Sequence, residues 1–208
     1  MATVDELWLD VFQRLCDAAA HQFKGALNGV AINLEVVRSR SARGEGGAAG
    51  EAAALRPFAE AAAGDLESVI RSAEAMLALA RSQRGPADVA RIARDLAVVA
   101  SLGAGTAAGR TAATRVTIDK SVEQLGTTSA PASAVRLAMG AALLAAVEAS
   151  NEVVCAAVGD GVGPVIRVTC GERNGSRFAL RDEVVSASYT AGVHLDISES
   201  GATITFPR

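Results

Sequence analysis

The sequence predicts an α+β protein in two parts. Residues 1–84 form an antiparallel helical hairpin that pairs with a second copy as a dimeric four-helix bundle, and residues 85–208 form a small α+β domain. Three observations carry this. Residues 4–41 and 52–82 each repeat apolar residues at helical spacing, with a glycine-rich stretch between them. Residues 131–150, PASAVRLAMGAALLAAVEAS, are apolar nearly all round, as a buried helix is. The tail alternates β-branched and polar residues between glycine-containing turns.

The first stripe runs through Phe12, Cys16, Ala19, Phe23, Ala26, Val30 and Val37, widened by Leu7, Leu15, Leu27 and Leu34. At ~1.5 Å per residue this helix would reach roughly 55 Å, so it wants a partner of equal length. SARGEGGAAGE at 41–51 reads as a loop, and the second stripe follows through Leu55, Phe58, Leu66, Ile70 and Leu77. One hairpin leaves its open side apolar, and pairing with a copy of itself covers it. Gly85-Pro86 then marks a boundary, and Pro86 opens a further helical run, PADVARIARDLAVVAS. GAGTAAGRT at 103–111 lacks the GxxxxGK[ST] spacing and follows a helix, so it reads as a linker and not as a phosphate loop. A strand is expected at 113–118. Further strands are expected at VIRVTC (165–170), RFALRD (177–182), VHLDIS (193–198) and ATITF (202–206), paired as antiparallel hairpins with helices on one face.

Composition narrows the function. A net charge of −3 and a pI near 5.5, with no basic run, argue against nucleic acid as a partner. No apolar run approaches the ~20 residues that span a bilayer, and MATVDELWLD lacks a basic leader, so no membrane is expected and the location is expected to be the cytoplasm. Cys16, Cys155 and Cys170 show no metal-ligand spacing and read as reduced core residues. One candidate site remains. Asp17, His21, Lys24, Gly25 and Asn28 fall on one stripe of the first helix, opposite Phe12, Cys16, Ala19 and Phe23, so His21 should face solvent. Imidazole is nucleophilic and mostly unprotonated near neutral pH, and Lys24 can support phosphoryl oxygens as a point charge. His194 lies in a strand pattern and reads as structural.

Residues 21–30, HQFKGALNGV, resemble the H-box of the dimerisation and phosphotransfer domain of sensor histidine kinases, through His21, Lys24, Leu27, Asn28 and Gly29. LALARSQRGPADVARIARDL is similar to the usual exit from that domain. The order of elements after it resembles the kinase's ATP-binding α/β sandwich. Three departures matter. Ala145 stands where the family's magnesium-holding Asn is, and a methyl cannot ligate a hard cation. Asp182 stands at the adenine-recognising Asp but is followed by EVVSAS instead of a glycine-rich turn, and DGVG at 160–163 precedes the strands where it cannot replace the missing glycine boxes. Gln22 replaces the acid that serves as base in self-phosphorylation, and Gly25 the residue that supports phosphatase activity.

The resemblance with its departures implies a histidine phosphotransferase of a two-component phosphorelay without ATP-dependent autokinase activity. His21 would be the phosphoryl acceptor with Lys24 as electrostatic support, and Asp17, Gln22, Gly25 and Asn28 the docking face. It implies no intrinsic cofactor, since the partner receiver domain would supply Mg²⁺. The implied partners are a second copy, response-regulator receiver domains and a hybrid histidine kinase. The alternative is a non-catalytic pseudo-histidine-kinase scaffold that binds and regulates a kinase or response regulator, with His21 a relic.

Overall fold

The computed structural model describes residues 2–43, 48–81, 83, 85–103, 114–159, 163–171 and 176–208. The protein is α+β. Helix α1 (Val4–Arg43) is 40 residues long, about 60 Å at the helical rise. A capping box starts it: the Thr3 N–H donates to the Glu6 carboxylate at 2.7 Å while the Glu6 N–H donates to the Thr3 hydroxyl at 3.2 Å. The Thr3 N–H and, at 3.0 Å, the Thr3 hydroxyl both donate to the charged carboxylate and hold the Glu6 pKa below its ordinary value. Helix α2 (Ala48–Ala80) returns antiparallel along α1. The helices approach closely where Gly29 meets Asp65: a Cβ at Gly29 would stand 2.7 Å from the Asp65 carboxylate. Near the far end, the Arg40 guanidinium lies 5.1 Å from the centre of the Phe58 ring.

Gly85, at φ +95°, makes the turn out of the hairpin before Pro86. Strand β1 (Ala87–Asp88) follows, then α3 (Val89–Gly103), whose first turn is tied by the Arg91 N–H donating to the Asp88 carboxylate at 2.9 Å. Strand β2 (Arg115–Ile118), a 3-10 turn (Lys120–Gln124) and β3 (Thr127–Thr128) lead to α4 (Ala132–Ala149). Then come β4 (Glu152–Ala157), β5 (Val165–Cys170), α5 (Asp182–Thr190), β6 (His194–Ser198) and β7 (Gly201–Thr205). The main sheet has the order β2-β4-β5-β7-β6, with β2 parallel to β4 and the other pairs antiparallel. β1 pairs with β3 separately.

Helix α4 is the centre of the core. Contrary to the expectation that no apolar run approaches a membrane-spanning length, α4 has the length and composition to cross a membrane; 89% of it is buried inside the fold, between the sheet and helices α1, α3 and α5. The N-terminal half of α1 belongs to the same core. Leu7, Trp8, Val11, Leu15 and Ala19 are buried against α3 and α4, whereas no described residue of α1 beyond Ala19 is fully buried. The hairpin is thus anchored by its base in the second part of the chain.

Several expectations need correction. RFALRD is not a strand: residues 176–181 have no ladder partner, and a helix begins at Asp182, the last residue of the expected strand. The alternation is real, since Phe178 is buried and Leu180 half-buried, but it serves an extended segment packed on the core. EVVCAA at 152–157, not recognised in the sequence, is the strand β4 that pairs with β2 and β5. The first loop is shorter than 41–51, because α1 continues to Arg43 and α2 resumes at Ala48. The third helix begins at Val89, since Ala87 and Asp88 form β1. Most of GAGTAAGRT and of DGVG lies outside the described residues. His194, read from the sequence as a strand residue without partners, opens β6 and has one: Tyr189 packs edge-on against it, ring centres 5.0 Å apart.

Candidate functional site: an exposed histidine face on the first helix

His21 lies just past Ala19, the last buried residue of α1, and is exposed. Asp17, Lys24, Gly25 and Asn28 are exposed with it. Among the described residues neither His21 nor Lys24 enters a hydrogen bond or ion pair, so the imidazole is open to an incoming group. Space around Gly25 is open too, since a Cβ there would meet nothing within 4 Å. Gln22 departs from the stripe. One residue on, it lies about 100° round the helix from His21 and is half-buried.

The face extends further than the sequence reading took it. Asp10 and Arg14 precede Asp17 by seven and three residues and fall on the same stripe. There the stripe touches the second part of the chain. The Arg14 guanidinium pairs with Glu148 at the end of α4 at 2.7 Å, and Asp10 pairs with Arg181 before α5 at 2.5 Å. Arg181 also holds Glu183 at 3.1 Å. The helical spacing alone could have found Asp10 and Arg14; their partners, more than 130 residues away, it could not. The exposed Ile32, eleven residues beyond His21, continues the same face outward.

Behind these ion pairs lies Ala145. It is buried and lines a cavity of about 40 Å³. Val11 and Arg14 of α1 form one wall of that cavity, Leu180 and Val184 another. The base of α1 therefore packs over the position where the resemblance puts a magnesium ligand and leaves beside it only a small hollow, partly open between the exposed Arg14, Glu148 and Arg181 side chains. Asp182, at the implied adenine position, is an exposed residue in the first turn of α5 and does not line the cavity.

The cysteines lie apart from this face. Cys155 and Cys170 are buried, Cys16 is half-buried, and all three are free. Burial pushes the Cys155 thiol up to about 12, and burial together with the neighbouring Asp17 charge raises that of Cys16.

No family model and no curated protein matches this sequence.

Proposed function

We propose that the protein is a histidine phosphotransferase of a phosphorelay. It acts as a homodimer in the cytoplasm, and His21 takes a phosphoryl group from the phospho-aspartate of one receiver domain and passes it to another. The observation that carries this reading is the face of α1 from Asp10 to Asn28, which presents an unblocked imidazole where the helix leaves the second part of the chain. In the step, an imidazole nitrogen forms a bond to phosphorus as the acyl P–O bond breaks and the receiver's aspartate leaves as a carboxylate. The receiver brings the Mg²⁺ and the acidic pocket. Lys24, one turn from His21, supports the charge on the moving phosphoryl oxygens. Gln22, an amide, takes no proton, and Ala145 puts a methyl into a hollow of only about 40 Å³, so both suit a chain that receives phosphoryl groups made elsewhere. A receiver seated on His21 also reaches the α4 and α5 ends that Arg14 and Asp10 hold against α1.

The test is transfer from a phosphorylated receiver in the presence of Mg²⁺. Wild type becomes labelled and His21→Ala does not. Equal labelling of both overturns the assignment of His21. Receiver binding that survives His21→Ala, with no transfer in any pairing, replaces this reading with the scaffold reading.

A further inference from the structure

A larger cleft, of about 680 Å³, opens at the base of the hairpin, away from His21. Arg136, in the second turn of α4, lines it. The Arg136 residue as a whole is 6% exposed, yet among the described residues no carboxylate lies within ion-pair distance of it. Asp95, whose charge reaches it, faces Arg91 at 3.9 Å instead. One terminal nitrogen of Arg136 donates to the Arg81 carbonyl at 2.9 Å and the other reaches the Gln83 amide oxygen at 3.5 Å, while Nε has no partner. A guanidinium offers five N–H donors, and among the described residues two nitrogens have partners and Nε has none. Asp95, which lines a second cavity with Arg136, offsets its charge only from a distance; a buried cation without a directly bonded anion is costly, and such a group is a candidate for an anion that arrives from outside.

Two further features point to the same ligand. The cleft includes the N-terminus of α4, where Pro131 stands at the cap without a side-chain hydrogen bond; the Ala134 and Val135 N–H groups donate to the Pro131 carbonyl at 2.9 and 3.1 Å, which leaves those of Ala132 and Ser133 for a ligand. Those groups and the helix dipole favour an anion. Part of the lining is apolar: Trp8 and Phe12 pack with ring centres 5.3 Å apart, and Leu9 beside them is 54% exposed. Asp5 also lines the cleft and disfavours a second negative charge near that part.

We propose that this cleft binds a small aromatic oxyanion, its charged head on Arg136 and the α4 N-terminus and its ring against Trp8, Leu9 and Phe12. The volume suits one such molecule, since ligand pockets run to roughly 300–1,000 Å³. The site goes beyond phosphotransfer and shares no residue with the His21 face.

Trp8 is the only tryptophan, so its emission reports the cleft directly in the intact protein. The probes are phenyl phosphate and phenylacetate, with inorganic phosphate and phenol as the separate halves. At least one aromatic oxyanion produces a saturable change with a Kd of about 1 mM or below. Each half alone binds at least about tenfold more weakly. The tighter of the two heads tells a phosphoryl from a carboxyl ligand. Ser133→Asp puts an acid in the first turn of α4, which suits the helix and repels the head, so it keeps the thermal midpoint and weakens binding by about tenfold or more. His21→Ala binds as wild type does, which separates this site from the phosphotransfer reading. No saturable response to either oxyanion, phenol binding as tightly as phenyl phosphate, or unchanged affinity in folded Ser133→Asp each overturns the proposal.

Discussion

The three cysteines show how burial sets chemistry one residue at a time. A thiol reacts as its thiolate, and loss of solvent disfavours that charge. Cys155 is pushed up to about 12, Cys170 is buried beside it in the sheet, and Cys16 is half-buried next to a carboxylate that raises it further. A thiol reagent at pH 8 should therefore titrate at most one cysteine in the native protein and all three in denaturant. Rapid native modification of two or more would mean that the β4–β5 layer opens. The same local logic made His21 legible from sequence. An exposed stripe on a long helix is fixed by spacing alone, so the placement of Asp17, Lys24, Gly25 and Asn28 followed from counting residues. Arg136 was not legible in that way. Its isolation depends on which acids the fold brings near it, and a single arginine in an apolar run carries no such signal.

At the scale of the element, two glycines in two helices should respond to the same substitution with opposite signs. Gly25 lies in an open stretch of α1, so Gly25→Ala gains helix propensity of about 1 kcal/mol at no steric cost. Gly140 lies inside α4, where a Cβ would stand 3.0 Å from the Trp8 ring and 3.2 Å from a Val11 methyl. Both neighbours are buried between helices and cannot swing away, so overpacking of ~1–3 kcal/mol exceeds the propensity gain. Thermal unfolding of the two variants checks this: the midpoint rises for Gly25→Ala and falls for Gly140→Ala. The long helices and α4 could be read from their periods because they span many turns. Residues 176–190 could not. Alternation in RFALRD comes from a segment that buries Phe178 without a neighbouring strand, and the nine-residue helix α5 is too short for its period to stand out. For β4 the difficulty was contrast, since EVVCAA follows an apolar helix with only Ser150 and Asn151 to separate them.

For the whole molecule, the outer side of the hairpin decides the assembly. Leu27 and Leu34 on α1 and Leu66, Ile70 and Leu77 on α2 are 45% to 59% exposed. The three α2 residues fall within about 40° of one another round the helix, and the two on α1 within about 20°, so each helix carries a narrow apolar stripe. Covering the exposed half of one such side chain contributes ~1 kcal/mol, and ten of them in a twofold pair contribute on the order of 10 kcal/mol. That is comparable to the ~4–15 kcal/mol that association costs, so the bundle is expected to form but with little surplus. His21 lies about 120° round α1 from Leu27, and pairing through the apolar stripes leaves it open. Sedimentation equilibrium at tens of micromolar should then give about twice the 21.1 kDa of one chain. The double variant Leu27→Glu with Ile70→Glu places four carboxylates in a twofold interface and should sediment as a monomer, while the core around α4, which contains neither residue, keeps its circular dichroism. A wild type that sediments as a monomer under these conditions would rule out the four-helix bundle.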